Sequence, residues 1–466
     1  MMFLLMQNTL TKSILFILLF SLCFVSCKPK KEISEKPKKE WNAELPEPNI
    51  YIEPESNSEE DLVQLKYDDY IYKDNISSAQ LYLKDQPLSY PTLYLRDNKQ
   101  LELHFDDFDR KYKTYSYEFI HCNANWEPSG LNTQEFIEGF FSGFIENYSY
   151  SFNTYIPYMH FQLTFPNENI QFKLSGNYLI KIYEDNDPEK IVLTKRFYIV
   201  DEQIKINSNI HIATLARYRD YKQEIDFELD LSLYPVRDPY QDLKVVILQN
   251  RRWDNAITSL KPLFVNGSKL VYNYEDNNLF DGLNEFRFFD AKNIRFQSIN
   301  VDGIQIIDNK VHLFLLPEEP RSYKRYYSQQ DLNGNYLIKR DNSDNSNRDG
   351  DYLTTHFTLK RESPVDNGDV YVYGQLSDWK HQEKFKMNYV EVNNEYVLTV
   401  PIKQGYYNYN YSVLPHGSDV GDMSIIEGTH SATENEYYFL IYHRKPGEIY
   451  DRLVGFEIKN SFNQFK

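Results

Sequence analysis

Apolar and polar residues alternate with a period of two in short runs along this chain, and the alternation is clearest between Tyr115 and Tyr183. There Tyr115, Tyr117, Phe119 and His121 interleave with Ser116, Glu118 and Ile120, and Phe161, Leu163 and Phe165 interleave with Gln162 and Thr164. A period of two marks a strand with one buried face. Phe165-Pro166-Asn167 and Ser175-Gly176-Asn177 supply the turns between such strands. The predicted elements before residue 202 are strands near 79–83, 92–95, 100–105, 115–121, 158–165, 177–183 and 191–200. Short strands at this spacing predict a β-sandwich.

The same patterning continues downstream. Strands are predicted at 204–206, 225–233, 243–249, 269–273, 284–290, 304–308 and 310–316, and then at 352–360, 370–374, 384–390, 395–401, 406–414 and 436–443. The fold class is therefore all-β, read as tandem immunoglobulin-like sandwiches. The expected boundaries are 75–202 and 203–320 for the first two sandwiches, 321–352 for a linker or loop, and 353–466 for the C-terminal domain. With 466 residues the chain has room for three domains of about 100–200 residues each. Composition agrees: aromatics make up 16% of the chain, with 40 Tyr and 30 Phe, residues that suit a half-buried pleated surface.

The N-terminus predicts export. Lys12 precedes the apolar run Ile14 to Phe20, which ends in Cys23-Phe24-Val25-Ser26-Cys27. An apolar core of about a dozen residues is too short for a bilayer crossing, which needs roughly 20. Ser26-Cys27 resembles a bacterial lipobox, with Phe24 where Leu is usual, so residues 1–26 read as a signal peptide and Cys27 as the acylated first residue. Residues 27–74 read as a flexible tether, rich in Lys, Glu, Pro and Ser and poor in apolar periodicity. Its lysines, from Lys28 to Lys39, could lie on anionic headgroups or merely solvate a spacer. After lipidation one thiol remains, Cys122, read as a buried strand cysteine.

Candidate chemistry is sparse. A net charge of −17 argues against nucleic acid, which requires a basic face. The histidines show no zinc-protease spacing, and no nucleophile elbow or phosphate loop appears, so no catalytic residue, metal site or cofactor is expected. Asp106, Asp107 and Asp109 read as a solvated turn, and Glu285, Arg287 and Asp290 as a surface charge ladder. Residues 340–351 look at a glance like a calcium loop, but His356 stands where a bidentate Glu is required, so the segment reads as a flexible loop. In QNRRWDNAI (249–257), Arg251, Arg252 and Trp253 could clamp an anion or a sugar, or a strand-end arginine could stack on Trp253. GDVYVYGQLSDW (368–379) looks like the start of the immunoglobulin-like module found beside starch- and glycogen-active enzymes, which makes Trp379 a second sugar-platform candidate. The segment 136–155 interrupts the strand pattern with large aromatics, and Gly139 and Gly143 disfavour a helix. Its aromatics either fold back as a lid or face a partner.

The stretch HCNANWEPSGL (121–131), with SFNT at 151–154, PYMHF at 157–161 and SGNYLIKIYE at 175–184, resembles the type IX secretion system plug protein family of the Bacteroidetes. The similarity continues through QNRRWDNAI, LVYNYEDNNLFDGLNEFRFFD (270–290) and EGTHSATENEY (427–437). The resemblance implies a non-catalytic, monomeric outer-membrane lipoprotein on the periplasmic face. Such a protein closes the giant export β-barrel while no cargo is engaged. Phe140, Phe141, Phe144, Tyr148, Tyr150 and Phe152 are the expected contact with that barrel. The alternative is a glycan-binding outer-membrane lipoprotein using Trp253 or Trp379.

Overall fold

A computed structural model describes residues 64–111 and 113–461. The signal peptide, Cys27 and the basic part of the tether lie outside the described residues. The described chain is all-β, with six larger sheets that pack in pairs around three cores.

The first sandwich follows the predicted order closely. One sheet runs Tyr70–Ile71, Ile191–Val200, Gly176–Glu184, Tyr115–Cys122 and Ser142–Phe144, with Thr92–Tyr94 added in parallel to Ile191–Val200. The other runs Ile76–Leu83, Leu101–Asp107, Met159–Phe165 and Asn147–Tyr150. Their inward residues, among them Phe105, Tyr115, Phe119, Phe161 and Phe197, form one aromatic core. Phe105, Tyr115 and Phe161 meet edge-to-face or stacked at 4.8–5.3 Å, contacts that add to the burial of so many rings. The expected tether ends sooner than residue 74. Arg196 donates its Nε to the Tyr67 carbonyl at 2.9 Å, and Tyr70–Ile71 is already a strand.

The other two sandwiches do not follow one another in series. The second pairs the sheet Lys205–Ile212, Lys222–Asp230, Lys269–Tyr272 and Phe264–Asn266 with a sheet made of Leu243–Gln249, Glu436–His443 and Arg452–Asn460. Leu243 lies opposite His443 and Gln249 opposite Tyr437, so the chain's last strands complete its middle domain. The third sandwich is inserted between them. Its two sheets use Arg287–Asp290, Gly405–Pro415, Tyr336–Ile338 and Gly368–Tyr373, and Val301–Ile307, Lys310–Leu315, Tyr352–Lys360, Glu395–Lys403 and Asn388–Val390. The bounds 203–320 and 353–466 are thus corrected. Residues 321–352 are no linker, since Tyr336–Ile338 is a sheet strand and Ser346–Asp349 a helical turn. The physical reason is that alternation identifies a strand but carries nothing about which distant strand satisfies its backbone.

Two charge readings are also corrected. Asp106 and Asp107 sit fully buried at the end of Leu101–Asp107, and only Asp109 is exposed. Asp106 accepts from Lys403 Nζ at 2.5 Å, His160 Nδ1 at 2.7 Å and Tyr352 Oη at 2.6 Å, which ties the first sandwich to the third. Burial alone would raise this carboxyl, but Lys403 and His160 outweigh it and hold it below the usual carboxylate range. Glu285 and Arg287 are likewise buried. Arg287 Nε pairs with Glu427 at 2.9 Å, and Glu427 also receives Arg321 at 2.7 Å. Asp451, fully buried, gathers Lys244, Arg444 and the Ala124 amide at the contact of the first two sandwiches. Buried charges with several donors or acceptors at the contacts of the first sandwich with the other two hold those contacts in one arrangement, because sliding would strand a charge.

Candidate functional site

The aromatic segment runs between the two sheets of the first sandwich along one side. Asn132 opens a single helical turn, Thr133–Phe136, with its amide donating to Glu135 Oε2 at 2.7 Å. Ile137–Gly139 then pairs with Ile170–Phe172, Ser142–Phe144 with the Tyr115–Cys122 strand, and Asn147–Tyr150 with Met159–Phe165. Two glycines make the path possible. Gly139 has φ +103, and a Cβ there would lie 2.0 Å from the Asn169 carbonyl oxygen; at Gly143 it would lie 2.7 Å from Tyr117 Oη. The segment ends on Asp351, whose carboxylate accepts the Tyr155 and Ile156 amides at 2.6 and 3.1 Å. The polar run 340–351 therefore docks on the first sandwich.

Both uses of the segment occur together. Phe136, Ile137 and Ile145 turn inward and join the core. Phe140, Phe141, Phe144, Tyr148, Tyr150 and Phe152 are 40–67% exposed. Anchored backbone below and six large rings above give a preorganised apolar surface, which soluble proteins keep where something docks. Phe152 also stacks under Arg348 at 5.4 Å.

The sugar-platform candidates meet elsewhere. Trp253 and Trp379, distant in sequence, line one cleft of about 410 Å³ together with Trp126. Trp126 packs edge-to-face on Trp253 at 5.8 Å. The arginine beside Trp253 is neither of the two next to it in sequence. Arg196 covers Trp126 at 4.2 Å and Trp253 at 5.5 Å, whereas Arg251 donates to Tyr438 Oη and the Leu88 carbonyl, and Arg252 pairs with Asp254 at 2.7 Å. Lys195 holds Asp378 at 2.6 Å and Lys380 holds Asp68 at 3.0 Å. The charges lining this cleft are thus engaged by protein groups, most of them by opposite charges, so it acts as a seam between sandwiches. Only spatial proximity brings Trp126 into the group; nothing in its sequence setting signals it.

Cys122 is fully buried, and burial pushes its thiol up to about 12, which rules out a thiolate nucleophile at neutral pH. No helix among the described residues is long and apolar enough to cross a membrane.

A family model described as "Type 9 secretion system plug protein 1st domain" matches residues 76–201. The solved structures include a crystal structure of a hypothetical protein from Parabacteroides merdae ATCC 43184. It is 31% identical, superposes with a TM-score of 0.83, and is matched over its whole length by 85% of this chain. It is one of 19 solved chains that match. No curated protein matches.

Proposed function

Because this chain belongs to the type IX secretion system plug protein family, we propose that it is a non-catalytic plug. In this reading it is held by lipid on Cys27 at the periplasmic face of the outer membrane. There it closes the periplasmic mouth of the export β-barrel while no cargo is engaged. The observation that carries this reading is the row of exposed aromatics on an anchored backbone from Phe140 to Phe152. Large rings supply contact area at low entropic cost, which suits a contact that must form and release. A stopper must also resist deformation, and the inserted third sandwich and the buried ion pairs supply that. Tethering raises the local concentration at the barrel, so a weak contact is sufficient. The glycan alternative is less favoured, because the charges lining the Trp253–Trp379 cleft are already engaged by other protein groups.

A Phe141→Asp, Phe144→Asp protein should fold normally, since both side chains face solvent, and should lose most of its recovery of the barrel in affinity purification from solubilised outer membranes. Full recovery by the folded variant would reject this surface as the contact. Deleting the gene should let small dyes cross the outer membrane through the export channel. An intact permeability barrier in that strain would reject the plug role itself.

A further inference from the structure

The outer face of the strand pair Lys205–Ile212 and Lys222–Asp230 carries a group of side chains that the plug reading does not use. Antiparallel register sets His211 opposite Glu224 and Asn209 opposite Asp226. His211, Glu224 and Asp226 therefore share one face, because cross-strand partners, and residues two apart on a strand, point the same way. His211 Nε2 lies 3.0 Å from Asp226 Oδ2 and 3.8 Å from Glu224 Oε1. One ligand atom from each residue falls within 4.8 Å of the others. Two ligands about 2.0–2.2 Å from a tetrahedral ion stand roughly 3.3 Å apart, so small side-chain adjustments would close the set around one ion.

Groups outside the triad hold each member in a ligating orientation. His211 Nδ1 donates to the Ile212 carbonyl at 2.9 Å, which leaves Nε2 as the ring nitrogen with a free lone pair once the imidazole is neutral. Glu224 is buried and accepts the Thr214 amide at 2.6 Å and the Thr214 hydroxyl at 3.1 Å. Asp226 Oδ1 accepts Asn278 Nδ2 at 3.0 Å. Asn278 is itself fully buried, and its Oδ1 has no donor. The charge is also unbalanced. Two carboxylates face one imidazole, and the adjacent Lys222 is paired with Asp281 at 2.5 Å.

We propose that His211, Glu224 and Asp226 bind one divalent ion of the zinc class, with water completing the solvent side. A mixed imidazole and carboxylate set suits zinc and its first-row neighbours better than calcium, which takes oxygen alone. The ion clips the two strands together and is independent of the plug contact.

Isothermal titration of the purified protein with zinc chloride, and separately with calcium chloride, tests this. One zinc per chain is expected, with calcium much weaker. Asp226→Asn should weaken zinc binding at least tenfold, and Asn278→Ala roughly 10–100-fold, with unchanged circular dichroism. Zinc should also raise the unfolding midpoint of the native chain but not of Asp226→Asn. A second histidine pair, His312 and His356 at 2.9 Å, provides the discriminating control. Zinc binding that survives Asp226→Asn and vanishes in His356→Gln would overturn the assignment. So would the absence of saturable zinc binding, which would leave the triad as a hydrogen-bonded histidine and carboxylate cluster.

Discussion

Replacing Lys403 by Met should destabilise the folded chain by about 3–5 kcal/mol, the usual cost of removing one partner from a buried ion pair. Lys403 lies at the end of the Glu395–Lys403 strand in the third sandwich, while Asp106 belongs to the first. Both side chains are 1% exposed, so water cannot take over when the ammonium is gone. Lys403 Nζ also donates to the Asn347 carbonyl at 2.6 Å and sits 4.2 Å over the Tyr158 ring. Tyr352 and His160 would remain on Asp106, but neither brings a positive charge at neutral pH. The loss should appear as a lower midpoint in chemical denaturation. It should shrink in acid, because without Lys403 the Asp106 carboxylate draws a proton onto His160 more readily. Adding Asp106→Asn to the variant should recover part of the loss, because no buried charge is then left uncompensated. A single-variant loss below 1 kcal/mol would mean that this pair does not lock the two sandwiches together.

Acid should weaken the protein from about pH 6.5 downward through its buried neutral histidines. Burial lowers the pKa of His121 from 6.5 to about 4, against the hydrogen bond to the Ser175 carbonyl. Burial likewise lowers His160 from 6.5 to about 4, against the pull of Asp106. Above pH 6.5 both residues are neutral in the folded and unfolded chain and leave stability unaffected. Between 6.5 and 4 the unfolded chain takes the proton and the folded chain does not, so stability falls as pH falls. At about 1.36 kcal/mol per pKa unit, each of these two costs roughly 3 kcal/mol by pH 4. Asp106 and Glu427, held low in the folded state, extend the loss further into acid. Stability measured across this range should slope downward, and His121→Gln should flatten the slope by about one proton. A flat profile between pH 6.5 and 4.5 would contradict the neutral, buried assignment of these rings.

His121 and Asp106 show what could be read ahead of the structure. His121 alternates inward on Tyr115–Cys122, and its burial follows from the period of two. The role of Asp106 does not follow. A cluster of aspartates after Phe105 reads as a turn because carboxylates are rarely buried alone. What buries this one is an ammonium almost 300 positions away. Arg196 over Trp253 is a similar case: the neighbouring arginines in sequence point elsewhere, and the one that covers the ring comes from another sandwich. The aromatic segment was visible as an irregularity, but the division of labour between Phe136 inside and Phe140 outside needed the paths fixed by Gly139 and Gly143.

By itself the sequence determined where the strands lie and which side of each is apolar, because alternation is a local property that the pleat converts directly into two faces. Motifs between residues 121 and 184 also carried the family. Only the tertiary structure decided that Leu243–Gln249 pairs with Glu436–His443 and that a whole sandwich is inserted between them. Backbone hydrogen bonds are the same for every residue, so a strand's composition does not name its partner. The choice is made by the sum of buried side chains when all the sheets close together.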